Sequence, residues 1–474
     1  MNQLNILTLL FVALLGLVSA RDSAGKDFVF SFAIDNSLSY AAQTSVFIVP
    51  TSKDSNCTIK YTDEYSLITK QATAKYGQLN EVTLDENSVS TPIDYISYGF
   101  NDNAHTDFRI FVKCNQEVTL YGRLNEPLNN FGDMFLIPAS TNAGTKYVIP
   151  IPAQYSNKRG SLLVLPVAQT GLVTVSVEGY INGVLKSNKT NTYDVTLVQS
   201  QHYTSILILH TTDNATVIIT SSTPVMVSFT TSFATTSNSG TDGSCGQSCN
   251  RDYITFMPLP EHPKTCSNGA LFHDHRMITS DLTTSLYIAP PTVPPTCDEV
   301  FSLSVFGIND NSKGVSKIIP RTGTSSITLT DKPEVATNSK HGVMPMYRLG
   351  SILTKPDSLT AFGHIAHIVP STAEWVSGKT QFFALGKDCV IEFYKVGFAT
   401  DSIRLDKAPL VKGSFTSNVL SYFGNKYAHG IVPITSYGLH TFETSGHYVL
   451  YVVCKNVNGP YNALGYLTGF NKRS

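Results

Sequence analysis

The chain has 474 residues, of which 15% are charged, and Lys+Arg 34 nearly balances Asp+Glu 35 for a net charge of -1. An ordinary soluble domain is roughly 25% charged, so this chain lacks both the basic footprint of a nucleic-acid binder and the polybasic cluster of a membrane-surface protein. Its 42% hydrophobic content, with 25 Phe and 23 Tyr, supplies burial that a disordered chain lacks, and its length accommodates two to four compact units.

Residues 6–17 are uncharged and mostly apolar, and Val18, Ser19 and Ala20 follow as small cleavage-site residues. This pattern predicts a secretory signal peptide over 1–20, cut after Ala20. No later run is apolar for the ~20 residues a membrane span needs. The mature protein is therefore expected to be secreted and extracellular, with no membrane span after cleavage.

From residue 25 onward, short apolar alternations rich in Val, Ile, Thr, Phe and Tyr are separated by Gly, Pro, Asn and Ser, which predicts many antiparallel strands. No stretch keeps a 3.6-residue apolar period over several turns. The fold class is all-β, built of tandem degenerate antiparallel β-sandwich-like repeats. Val46 to Pro50 followed by Cys57 to Tyr61 resembles Leu162 to Pro166 followed by Val173 to Val177, and Phe382 to Leu385 followed by Cys389 to Phe393. Gly144 to Pro150 likewise resembles Gly363 to Pro370. Four β units are read from these matches, at 25–125, 140–235, 265–362 and 363–474, with a Cys-rich loop at 236–264 between the second and third. Units of ~100 residues suit small sandwiches.

Eight cysteines in a secreted chain favour disulfides. Cys57 and Cys114 take the same two repeat positions as Cys389 and Cys454, where the second unit has Val173 and Ser221. Paired gain and loss of cysteine predicts Cys57–Cys114 and Cys389–Cys454. Cys245, Cys249, Cys266 and Cys297 allow three pairings, of which Cys245 with Cys249 and Cys266 with Cys297 is the working choice. Sequons at Asn56, Asn188 and Asn214 are candidate glycosylation sites; Asn56 is the least suited, because its middle residue is Cys57.

Several motifs share one pattern. Ser222, Thr223 and Pro224 lead into the strand Val225, Met226, Val227. Cys245 and Cys249 are followed by Asn250, Arg251, Asp252 and Tyr253, and then by Pro258, Leu259 and Pro260. Over about 140–310 the chain resembles the N-terminal domain of IgGFc-binding proteins, which precedes the von Willebrand D assemblies in that mucus-associated glycoprotein. Free-standing versions occur in invertebrates, nematodes included. A Trp-Gly pair follows the proline loop in that family; here the sole Trp is Trp375. The chain has no von Willebrand D modules, so gel-forming assembly is not part of what the resemblance implies.

Catalytic motifs are weak. His273 and His275 flank Asp274 and would share one face of a strand, but a zinc site wants a third ligand, and a polar strand edge is the preferred reading. His364 and His367 have odd spacing and read as solvent-facing or hydrogen-bonded structural residues. No Gly-Xaa-Ser-Xaa-Gly turn, Walker loop or dinucleotide fingerprint is present. The turn Asn309, Asp310, Asn311, Ser312, Lys313, Gly314 has lysine where a calcium ligand belongs. No catalytic residue, cofactor or metal is assigned. The leading expectation is a non-enzymatic binding or structural protein of matrix or mucus, with an extracellular protein or glycan ligand and no nucleic acid. Its candidate contact segments are 236–266 and the Pro-rich 289–295. The alternative is a secreted hydrolase with a site between β units that uses His273 and His275.

Overall fold

The computed structural model describes residues 22–471 apart from 36–41, 65, 94–98, 129–130, 152–158, 199–202, 210–214, 235–251, 267–272, 292, 295, 309–312, 323–324, 330–331, 354–360, 387, 400–401, 412 and 459–461. The fold is all-β, as the alternation predicts. Among the described residues, the strand ladders are antiparallel apart from the short parallel pair Phe32–Asp35 with Ser90–Ile93. Local alternation decides which faces are wet. In Leu172–Ile181, Val173, Val175 and Val177 are buried while Thr174 and Ser176 turn outward. Gln43–Pro50 is covered on both faces and is buried along nearly its whole length.

The strands fall into four units of one topology. In the first unit, strands one to five are Gly25–Phe30, Gln43–Pro50, Ser55–Asp63, Ser66–Ala74 and Glu81–Leu84. A long sixth strand, Ile110–Glu126, and a closing seventh, Phe131–Ile137, complete it. The first half of the sixth strand carries strands one and three, and strand four extends from strand three. Its second half carries strands two and seven, and strand five extends from strand two.

The second unit repeats this order with Gly144–Pro150, Arg159–Pro166, Leu172–Ile181, Val184–Asp194, Tyr203–Leu209, the long Ala215–Ala234 and the closing Asp252–Phe256. In the third unit the sixth strand is interrupted. Asp274–Thr279 and Phe301–Phe306, extended by Val315–Ile319, flank Glu334–Ser339. Ser285–Ile288, extended by Ser325–Thr328, and the closing Ala361–Ile368 flank Met346–Leu353. Two separate four-stranded sheets result. The fourth unit returns to one long strand, Gly438–Lys455. Val376–Ala384 and the Arg404–Leu405/Ala408–Pro409 hairpin lie on its first half, and Cys389–Val396, Asn425–Ile434 and the closing Ala463–Leu467 belong to its second.

This topology changes the sequence-based boundaries. The first unit runs on to Ile137. Asp252–Phe256, inside the segment read as a Cys-rich loop, closes the second unit, and Ala361–Ile368 closes the third instead of opening the fourth. Gly363 to Pro370 is thus not the counterpart of Gly144 to Pro150. The two share a proline-ended apolar pattern because both are covered on two faces, and that pattern does not encode a pairing partner.

Two added strands lie on fifth-strand edges. Phe100–His105, from the first unit, pairs with Tyr203–Leu209 of the second. Thr416–Tyr422 pairs with Asn425–Ile434 of the fourth.

The four closing strands pack in a cycle. Phe131–Ile137 and Ala361–Ile368 each contact both Asp252–Phe256 and Ala463–Leu467. The cores join in the same order. Leu163 and Met226 of the second unit pack into the first-unit core, Tyr347 and Leu349 of the third into the second-unit core, and Phe47 and Tyr121 of the first into the shared core of the third and fourth. The seam between first and fourth units is stitched by Ser23, whose amide donates to the Phe470 carbonyl at 3.0 Å and whose Oγ accepts from the Phe470 amide at 2.9 Å. Tyr121 donates to the Thr468 carbonyl at 2.9 Å across the same seam.

Candidate functional site

Among the described residues, three cysteine pairs are bonded. Cys57 lies directly opposite Cys114, and Cys389 opposite Cys454, each with Cα atoms 4.0 Å apart. Cys266 is bonded to Cys297. The first two pairs do not occupy the same repeat position. Cys57 joins strand three to the first half of the long strand, whereas Cys389 joins strand two to the second half. Ser221 is the second-unit counterpart of Cys114, but it faces Val175 and not Val173, which pairs with Tyr193. Cys245, Cys249 and Asn214 lie outside the described residues. Asn56 and Asn188 are exposed, the latter on strand Val184–Asp194.

Buried charge concentrates where units meet. At the centre of the cycle, the Asp133 carboxylate accepts from the amides of Met134 at 2.8 Å, Thr255 at 3.0 Å and Gly465 at 3.2 Å. Asp252 accepts from the Asn462 side chain at 3.0 Å and from the His364 amide, and Asn462 donates onward to the Gly132 carbonyl. Burial pushes both carboxyls well above the usual range, against the lowering effect of these amides. Residues from all four units therefore share one polar hub. Gly363 fits it because φ is +61° and a Cβ there would lie 2.1 Å from the Ala463 amide.

Between the third and fourth units, Arg348 and Glu392 form an ion pair at 2.6 Å with both side chains fully buried. Arg348 also donates to His367 Nε2 at 2.6 Å and to Thr283 Oγ1 at 3.0 Å, and lies 4.0 Å from the Tyr451 ring centre. Tyr394 donates to Glu392 at 2.7 Å, and His429 Nε2 lies 3.3 Å from it. Burial raises the Glu392 carboxyl, but Arg348 and His429 outweigh it and hold the group down at about 2. Burial and Arg348 together push His367 well down, and burial alone lowers His364 to about 4. Neither histidine faces solvent, the first of the two readings drawn from their spacing.

His273 and His275 do share a face, with rings stacked at 5.2 Å, and His275 stacks on Phe423 at 3.8 Å. Asp274 turns the other way, to Arg276 at 3.1 Å and the Met344 amide at 2.9 Å. Among the described residues no group of three or more His, Cys, Asp or Glu is placed to hold a metal. Residues 309–312 of the calcium-like turn lie outside the description. In the Pro-rich segment, Ala289, Pro290 and Pro291 are buried and offer no contact surface.

Among the described residues, accessible concavities include one of about 420 Å³ on the first unit beside Phe111 and Lys113 and a wider one on the third unit. A crevice between the second and third units, beside Tyr347 and Pro150, holds about 30 Å³, room for little more than one water. A groove of about 910 Å³ opens between the fourth strand Val315–Ile319 and the fifth strand Ser325–Thr328, the outer edges of the two sheets. Phe306 and Ile327 form its floor, Lys317 and Lys332 its charges, and none of its lining residues is Asp or Glu. Val315 is 75% and Ile318 65% exposed on its fourth strand. No composition signal marked this groove; it depends on which strands end as edges.

No family model and no curated protein matches the chain. Among solved structures, an arabinofuranosyltransferase from mycobacteria matches at 8% identity and a TM-score of 0.12, over 85% of this chain and 37% of that one. A likeness at that TM-score carries no argument.

Proposed function

We propose that the protein is a secreted, non-enzymatic extracellular scaffold that binds a protein or glycan ligand in matrix or mucus, in line with its resemblance to the IgGFc-binding protein N-terminal domain. One observation carries this reading. Asp133, Asp252, His364, His367, Arg348 and Glu392 are engaged where units meet, while a concavity accessible on the third unit is an apolar groove bounded by strand edges. That arrangement suits recognition. The three disulfides among the described residues and the exposed sequon at Asn188 support an oxidising, secretory route, and among the same residues no helix is long and apolar enough to cross a membrane.

The test is expression through a secretory pathway, N-terminal sequencing of the product, and affinity capture from extracellular matrix and mucus preparations. The reading expects cleavage after Ala20 and saturable retention of a defined component. Hydrolytic turnover of that component, abolished in a His273→Ala/His275→Ala variant that still folds, would replace it with the hydrolase alternative.

A further inference from the structure

The four units share one topology, so the fifth strand can be compared between them. In the second unit its outer edge carries Phe100–His105, supplied by the first unit. In the fourth it carries Thr416–Tyr422, with Leu420 and Tyr422 buried. In the first, Lys70 of the fourth strand reaches across and donates to the Thr83 carbonyl of the fifth at 3.1 Å. In the third, among the described residues, Ser325–Thr328 pairs on one side with Ser285–Ile288, and its other side opens on the groove. Edge strands with free backbone groups are templates for an added strand.

The lent strand in the second unit shows what such an occupant looks like. Phe100 packs so closely on Gly179 that a Cβ there would lie 2.4 Å from its ring. Two residues on, Asp102 pairs with Lys189 of the facing fourth strand at 3.3 Å and accepts from Asn191 at 2.9 Å. An apolar anchor followed at i+2 by an acid puts both on one strand face. The third unit offers the matching halves: an apolar floor at Phe306 and Ile327, and Lys317 on the facing fourth strand.

We propose that the third-unit groove accepts an extended segment of a partner protein. That segment would add antiparallel to Ser325–Thr328, with an aromatic or aliphatic anchor over Phe306 and Ile327 and an acidic residue two positions on, toward Lys317. A second copy of this chain pairing groove to groove would bring Lys317 and Lys332 against their equivalents, and like charges across paired strands are unfavourable. This assignment rests on the scaffold reading above and names where its partner binds.

The probe is a labelled eight-residue peptide of alternating Val and Thr carrying Phe and, two residues later, Asp. It is titrated into the full mature protein by fluorescence anisotropy, with amide exchange followed in parallel. Binding should slow exchange over 325–328. Lys317→Glu should weaken binding by about fivefold or more, and a peptide with Lys in place of Asp should recover it on that variant. The thermal midpoint of Lys317→Glu reports whether the variant folds. Absence of binding at millimolar peptide, or binding without protection of 325–328, overturns the groove assignment. Dimerisation of the protein alone that Lys317→Glu abolishes would give the groove to a second copy and overturn the partner strand. If a captured extracellular ligand binds Lys317→Glu as tightly as the parent, the groove assignment falls and the scaffold reading stands. If the mature protein retains no extracellular component, the scaffold reading itself falls.

Discussion

Glu392→Gln keeps the shape of the side chain but leaves the Arg348 guanidinium buried without its countercharge. Breaking one side of a buried pair costs about 3–5 kcal/mol. The resulting shift in melting temperature depends on what unfolds together. If the four units melt as one body of ~450 residues, the unfolding entropy is about 0.9 kcal/mol/K, and ~4 kcal/mol lowers the midpoint by about 4 °C. If the fourth unit melted alone, its ~90 residues would give about 0.2 kcal/mol/K and a fall of about 20 °C in a separate transition. The hub that ties Asp133 and Asp252 to His364, Asn462 and Gly465, together with cores continuous between neighbours, predicts the first outcome. Differential scanning calorimetry distinguishes them, and a second, low-temperature peak in the variant would refute the cooperative ring. The double variant Arg348→Met/Glu392→Leu should recover roughly half of the loss: apolar replacement of a buried pair is often close to neutral, but Thr283, His367, Tyr394 and His429 each lose a buried partner.

Replacing Cys57 and Cys114 by serine opens a loop of sequence separation 57 and should cost about 4 kcal/mol on the loop-entropy model; calorimetry measures it, and non-reducing peptide maps should recover Cys57 with Cys114 and Cys389 with Cys454. Glu261 is pushed up to about 7 by burial, only partly offset by Lys146. The folded protein holds that proton more tightly than the unfolded chain, so this stabilisation is complete below pH ~4.5 and fades as pH rises through ~7. Glu261→Gln should therefore gain midpoint on the parent at pH 8 but not at pH 4.5, and an equal difference at both would contradict this. Gly363→Ala would drive a Cβ against the Ala463 backbone and should lower stability by about 1–3 kcal/mol, with faster amide exchange along Ala463–Leu467 as the local readout.

The fold class was legible because alternation such as Val173, Val175, Val177 reports a half-wet strand face directly. True repeat partners were also legible in the first two units: the ends of Gln43–Pro50 and Arg159–Pro166 are both second strands, and Cys57 to Tyr61 and Val173 to Val177 both lie on third strands. In the fourth unit the comparison slipped by one strand. Phe382 lies on a first strand and Cys389 opens a second, and strands buried on two faces look alike whatever they pair with. Both cysteine pairings were therefore reached through an equivalence the topology does not have; opposite positions on neighbouring strands are what the bonds require. The hub was invisible in the sequence, since Asp133 and Asp252 are isolated in the chain and meet Gly465 and His364 only through long-range packing.

The seam at Ser23 and Phe470 has a bearing on biosynthesis. A ribosome delivers the four units in order, yet the flank of the first, with Tyr121, finds its last partners only when residues near 470 emerge. At about 5–20 residues per second, the nascent chain exists for tens of seconds with Tyr121 on the first unit still lacking its Thr468 partner. That interval is when a chaperone would have the most to hold and when intermolecular misjoining would be easiest.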